Sequence, residues 1–115
     1  GVMSTEMWNV NKVLGTEFGM TKAERVDYGE SLMTHAMVIT GVNLVDNKPN
    51  RWRVENSWGD AIGDKGYFVM SDDWFNEFVY QAVIDKKYLT EDEAKLLEPY
   101  PIELEAWDPM GSLAL

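Results

Sequence analysis

Two hydrophobic patterns follow one another in the middle of this chain, with a turn between them. Residues Ala36 to Leu44 (AMVITGVNL) form its most apolar run. A run this short, rich in the β-favouring Val38, Ile39, Thr40 and Val42, predicts a strand buried on both faces. Asp46 to Asn50 (DNKPN) predicts a turn, with a proline that the middle of a sheet does not accept. Arg51 to Ser57 then alternates: Trp52, Val54, Asn56 and Trp58 share one face, and Arg51, Arg53, Glu55 and Ser57 the other. Asn56 thus falls on the apolar face, where an amide without partners costs about 1–3 kcal/mol. Its position predicts that specific hydrogen bonds hold it there.

The flanking segments are punctuated by helix caps. Thr21-Lys22-Ala23-Glu24 and Thr90-Glu91-Asp92-Glu93 both have capping-box spacing. The first predicts a short helix ended by Gly29, the second a surface helix running to about Glu98, before Pro99-Tyr100-Pro101. Residues 1–20 show no sustained period and predict one helical turn around Trp8–Leu14. Beyond the glycine-rich Gly59–Gly66, Tyr67–Met70 predicts a third strand. Asp72 is expected to cap a helix over Asp73–Tyr80 whose Trp74, Phe75, Phe78 and Val79 form core. Gln81–Leu89 predicts a fourth strand. The tail from Glu103 to Leu115 has no period, yet Trp107, Met110, Leu113 and Leu115 make it apolar enough to dock on something. No repeat or linker divides the chain, and the fold class read from this order is α+β.

Composition narrows the partners. With 115 residues and 45% hydrophobic content, the chain suits one domain with a modest core. Twenty acidic residues against ten basic ones give a net charge of −10. Such a surface repels phosphate backbones and anionic membranes and favours basic peptides or a basic partner. Seven of the acidic side chains lie in residues 89–115, against Lys95 alone. Asp72-Asp73 and Glu91-Asp92-Glu93 read as caps and solvated helix ends rather than calcium ligands, and no calcium-loop spacing is present. Gly59–Gly66 lacks the Lys-Ser/Thr of a phosphate loop. No cofactor or metal is implied. Nothing approaches 18 uninterrupted apolar residues, so no membrane span is expected. The start of the chain, without an initiator Met or the pattern of a signal peptide, resembles an internal cut.

The candidate chemistry centres on His35, the sole histidine, and on Asn56 and Trp58. A histidine at the mouth of one strand and an asparagine at the end of the next can meet side by side. An asparagine carbonyl fixes an imidazole's tautomer and direction without adding charge, and a tryptophan over that contact excludes water. This is the supporting part of a Cys–His–Asn device, in which the imidazole takes the thiol proton. The thiol is missing, for the chain has no cysteine. On residue types alone a plainer reading stands beside this one: a histidine capping a strand and an asparagine closing a turn.

Longer blocks carry a resemblance. Asn56-Ser57-Trp58-Gly59, ahead of Gly63-Asp64-Lys65-Gly66-Tyr67, resembles the asparagine segment of papain-like cysteine peptidases, and His35-Ala36-Met37-Val38 their histidine segment. Within them, GESLMTHAM (29–37), WRVENSWG (52–59) and AWDPMG (106–111) resemble the bleomycin hydrolase and bacterial aminopeptidase C branch. The resemblance implies the strand-rich, antiparallel half of the papain fold over residues 1–105, with a C-terminal arm over 106–115. It implies His35 as base and acid, Asn56 orienting it and Trp58 shielding the contact. It further implies a cytoplasmic homohexamer acting on peptides with a free N-terminus. The arm would lie in the active-site cleft, where the end carboxylate, of Leu115 or of Ala114 after trimming, meets the substrate's amino group. The catalytic Cys and the oxyanion-hole glutamine would belong to an absent N-terminal half. This chain alone is therefore expected to be inactive, and a stand-alone binding or assembly remnant is the alternative.

Overall fold

The computed structural model describes residues 1–17 and 19–113. Its centre is a four-stranded sheet of β1 (Val2–Met3), β2 (Val38–Val45), β3 (Lys48–Glu55) and β4 (Tyr67–Ser71), in the order β1-β4-β3-β2. β2, β3 and β4 run antiparallel, and β1 adds to β4 in parallel. Around the sheet lie α1 (Val10–Leu14), α2 (Lys22–Asp27), α3 (Asp72–Phe78) and α4 (Glu91–Lys95), with 3₁₀ turns at Lys86–Tyr88 and Pro109–Leu113. The α+β expectation therefore holds, with a mixed sheet rather than a purely antiparallel one.

The hairpin of β2 and β3 is tighter than the sequence suggested. Val45 pairs with Lys48, leaving only Asp46 and Asn47 as loop. Both have positive φ, 50° and 61°. This is the geometry that matches a two-residue turn to the twist of its strands, and Asp and Asn tolerate it. Pro49 consequently lies inside β3, opposite Leu44. The proline is accommodated because β4 pairs with β3 only from Arg51 to Glu55, so no ladder bond on that side asks for its N–H.

On one face of β3, Val54 is 1% exposed and Trp52 half-buried. Val54 lies opposite Phe68, and Trp52 opposite Met70, which is also buried. α3 closes over this face, where Phe75 stacks on Trp52 with ring centroids 4.6 Å apart. Trp52 Nε1–H donates to Asp72 Oδ1 at 2.9 Å, tying the helix start to the strand. Lys22 on α2 caps the other end of α3, its Nζ donating to the carbonyls of Asn76 (2.7 Å) and Val79 (2.6 Å). Arg25, one turn on, donates to Glu77 Oε2 at 2.6 Å, and that partner raises its pKa further.

Both capping boxes form. Thr21 accepts from the Glu24 N–H while Glu24 accepts from the Thr21 N–H at 2.7 Å, and Thr90 and Glu93 repeat the pattern. Four expectations need correction. The helix after β4 is capped by Ser71, whose hydroxyl accepts from the Trp74 N–H; Asp72 is committed to Trp52 and Asn76 instead. α4 stops at Lys95, not near Glu98, because only its first turn carries the cap and no apolar stripe extends it. Gln81–Leu89 is not a strand: residues 81–85 are irregular, and Asp85 caps the 3₁₀ turn that follows. The sheet edge it would need, beside β4, is occupied by β1, and Val83 is 93% exposed. β2 is not buried on both faces: only Gly41 of its eight residues is even partly covered, and as an edge strand it also has β3 alone beside it.

Candidate active site

Two strand ends build the site. Residues 31–37 approach β2 without regular structure and deliver His35 three positions before Val38. β3 ends at Glu55, which pairs with Val38, so Asn56 leaves the sheet on the same side as His35. The backbone N–H of Asn56 donates to the Gly66 carbonyl at 3.0 Å, which fixes where the strand stops. Gly66 has φ 87°, and the ideal Cβ position there would sit 3.2 Å from the Gly59 carbonyl oxygen. Glycine is required at that crossing of the loop.

The Asn56 side chain accepts two hydrogen bonds at one atom. Ser57 N–H donates to Oδ1 at 2.8 Å, and His35 Nε2 lies 2.7 Å from the same oxygen. A backbone N–H can only donate, so the atom it meets is the amide oxygen, and His35 Nε2 must carry the proton. The tautomer follows from this local geometry. It leaves Nδ1 with its lone pair directed away from Asn56, free to act as a base.

Trp58 lies against the imidazole, ring centroids 5.1 Å apart and planes inclined at 31°. It is nevertheless 59% exposed. Phe68 of β4 meets it edge-on from another side, at 6.3 Å and 85°. An open cleft of about 370 Å³ adjoins the pair, lined by Ala36, Met37, Val38, Glu55, Asn56 and Ser57. A separate groove on the opposite sheet face, where Arg53 lies 3.7 Å over the Tyr67 ring, contains none of the three candidate residues. Among the described residues no cluster of His, Asp and Glu could hold a metal ion, and no helix is long and apolar enough to cross a membrane.

The structure thus brings His35, Asn56 and Trp58 into one contact cluster. It places Trp107 at 80% exposure and the Pro109–Leu113 turn alongside α2. Ala114 and Leu115, the residues expected to present a terminal carboxylate, lie outside the described residues. Three contributors escaped the sequence reading: the Ser57 N–H, the Gly66 carbonyl and Phe68. The glycines of 59–66 were the available signal for the second, since a loop that returns its backbone to a strand end needs positive φ.

A hairpin-centred sheet that sets a histidine and an asparagine side by side under a tryptophan is the strand-rich portion of a papain-like fold. The chain belongs to the Peptidase C1-like family, whose model matches residues 1–111. It is 55% identical over 115 residues to an aminopeptidase C of Listeria innocua, with all of this chain and 26% of that protein covered. Bleomycin hydrolase of Gallus gallus is 51% identical over 118 residues, covering 99% of this chain and 26% of that protein. The crystal structure of PepW from Lactobacillus rhamnosis superposes with a TM-score of 0.86 at 58% identity, covering 98% of this chain and 26% of PepW. The chain therefore spans about a quarter of the length of these relatives.

Proposed function

We propose that this chain is the His- and Asn-bearing C-terminal part of a cysteine-type aminopeptidase. The bond from His35 Nε2 to Asn56 Oδ1, with the tautomer it imposes, carries the reading. The names and the high identity of the relatives support the reaction class. In the complete enzyme, the free Nδ1 of His35 accepts the proton of a cysteine supplied by the remainder of the protein. The thiolate attacks the peptide carbonyl, and the protonated Nδ1 then delivers its proton to the leaving amine. A water, deprotonated by the same nitrogen, releases the acyl group and restores the thiol. Asn56 keeps the ring oriented through both half-reactions, and Trp58 keeps water from competing for its carbonyl.

The surface supports a larger protein around this part. Val83, Trp107 and Tyr100 are 93%, 80% and 98% exposed, more apolar area than a finished domain leaves to solvent. Peptides with a free N-terminus are the substrate class, the end carboxylate of Ala114 or Leu115 is their anchor, and the complete enzyme is a cytoplasmic homohexamer. The relatives lend no support to a stand-alone binding module. The test is peptide hydrolysis by the complete enzyme and by its His35→Ala variant. Loss of turnover with the active thiol still present is expected. Turnover retained in that variant, or shown by the cysteine-less 115 residues alone, sinks the reading.

A further inference from the structure

We infer that Phe68 is a positioning residue for the catalytic pair, acting through Trp58; this rests on the peptidase reading of His35 and Asn56. Trp58 follows the last paired residue of β3 by three positions, and most of its surface is open to solvent. Two aromatic contacts locate its indole: His35 at 5.1 Å and Phe68 at 6.3 Å, the latter edge-on at 85°. His35 cannot supply the reference position, because its own ring is what must be held. Phe68 can. It stands on β4 opposite Val54, which is fully buried on the same sheet face.

The surroundings of Phe68 are shaped to hold its ring still. An ideal Cβ at Gly63 would fall 2.9 Å from Phe68 Cε2 and 2.5 Å from the Tyr67 carbonyl oxygen, so the loop passes flat over the ring with no side chain between. The backbone at Gly1 lies against the ring as well, and its carbonyl accepts the Val69 N–H at 2.9 Å. Gly63 has φ 74°, a conformation that favours glycine for a second reason. A ring held this way gives Trp58 a fixed partner at near-perpendicular planes, a favoured geometry for an aromatic pair. The order of support is therefore sheet, Phe68, Trp58, His35–Asn56. Without the Phe68 ring the indole swings out, water reaches the Asn56 carbonyl, and the imidazole loses its single direction.

The experiment compares Phe68→Ala, Phe68→Leu and His35→Ala in the complete enzyme, with kcat normalised to titrated active thiol so that only folded sites count. Thiol alkylation by iodoacetamide across pH reports the thiolate–imidazolium pair independently of turnover. Phe68→Ala is expected to lower normalised kcat by about tenfold to a hundredfold, the scale of a small misplacement in an active site, with KM within about twofold. The alkylation profile should shift with it. Phe68→Leu keeps apolar bulk without the aromatic ring and is expected to follow Phe68→Ala. Wild-type normalised kcat and an unmoved alkylation profile in either Phe68 variant overturn the proposal. An active His35→Ala variant overturns the underlying reading instead, so the two failures are distinguishable.

Discussion

His35 Nε2 and Asn56 Oδ1, from residues 21 positions apart, meet at 2.7 Å because Val38 pairs with Glu55 just inside them. The register of one hairpin therefore decides whether the imidazole has an acceptor. Removing that acceptor should separate orientation from base chemistry. Asn56→Ala in the complete enzyme is expected to reduce kcat about tenfold to a hundredfold while leaving KM nearly unchanged. Steady-state kinetics check this, and a variant that loses only substrate affinity speaks against an orienting role.

Trp52 contributes to the same sheet by stacking and by a hydrogen bond, and the two can be resolved. Trp52→Phe keeps a ring against Phe75 but deletes the donor to Asp72. Asp72 retains Asn76 as a partner, so the loss should be about 1 kcal/mol. Trp52→Ala also empties the space under α3 and should cost about 3–5 kcal/mol. Amide exchange in β3 and β4 reads both; equal protection in the two variants would show that the ring itself adds nothing.

Lys22 joins two helices far apart in sequence. Its Nζ satisfies the carbonyls of Asn76 and Val79, which the end of α3 otherwise leaves without a partner. Lys22→Met keeps much of the stem and removes the cation. It should weaken that helix end by about 1–2 kcal/mol, the range of a charge at a favourable, partly buried helix terminus. Exchange at residues 76–79 should quicken about tenfold or more, with β2 unaffected. Uniform change across the chain would point to a global effect instead.

The capping boxes predict a direction with pH. The Thr21 backbone N–H, and then its hydroxyl, hold the Glu24 carboxyl below the ordinary glutamate value of 4.5, and Thr90 does the same for Glu93. A depressed carboxyl pKa adds stability that is present above the ordinary value and is lost as pH falls through the lower, folded one. α2 and α4 should accordingly begin to fray only below pH 4.5. NMR titration of the two carboxyls should give midpoints under that value, and Thr21→Ala should return Glu24 towards it. A Glu24 midpoint unchanged by that substitution would mean that the cap is not the cause.

Much of the layout was legible because its signals are local. A Thr-x-x-Glu spacing, a turn-forming Asp-Asn pair and a two-residue alternation act over a few residues, and each element built on them is present. The missed elements were decided at a distance. Gln81–Leu89 has strand-forming residues, but β1, a two-residue strand with no pattern of its own, holds the β4 edge. Asp72 looked like a cap until Trp52, twenty positions earlier, claimed its carboxylate.

The same division runs through the site. The chemical types and their approximate meeting are local: a histidine before one strand, an asparagine after the next, a tryptophan two residues on, and a family-specific set of blocks. Residue identity and strand period are enough for that, because a hairpin brings the ends of its two strands together. Which nitrogen of His35 carries the proton was settled by packing, since it depends on the Ser57 N–H sharing the Asn56 oxygen. Packing likewise chose which side chain stands behind Trp58. Phe68 reaches it through the pairing of β4 with β3 and the flat passage of the loop at Gly63; the strand and the glycine are visible in the chain, but their meeting with Trp58 depends on long-range packing.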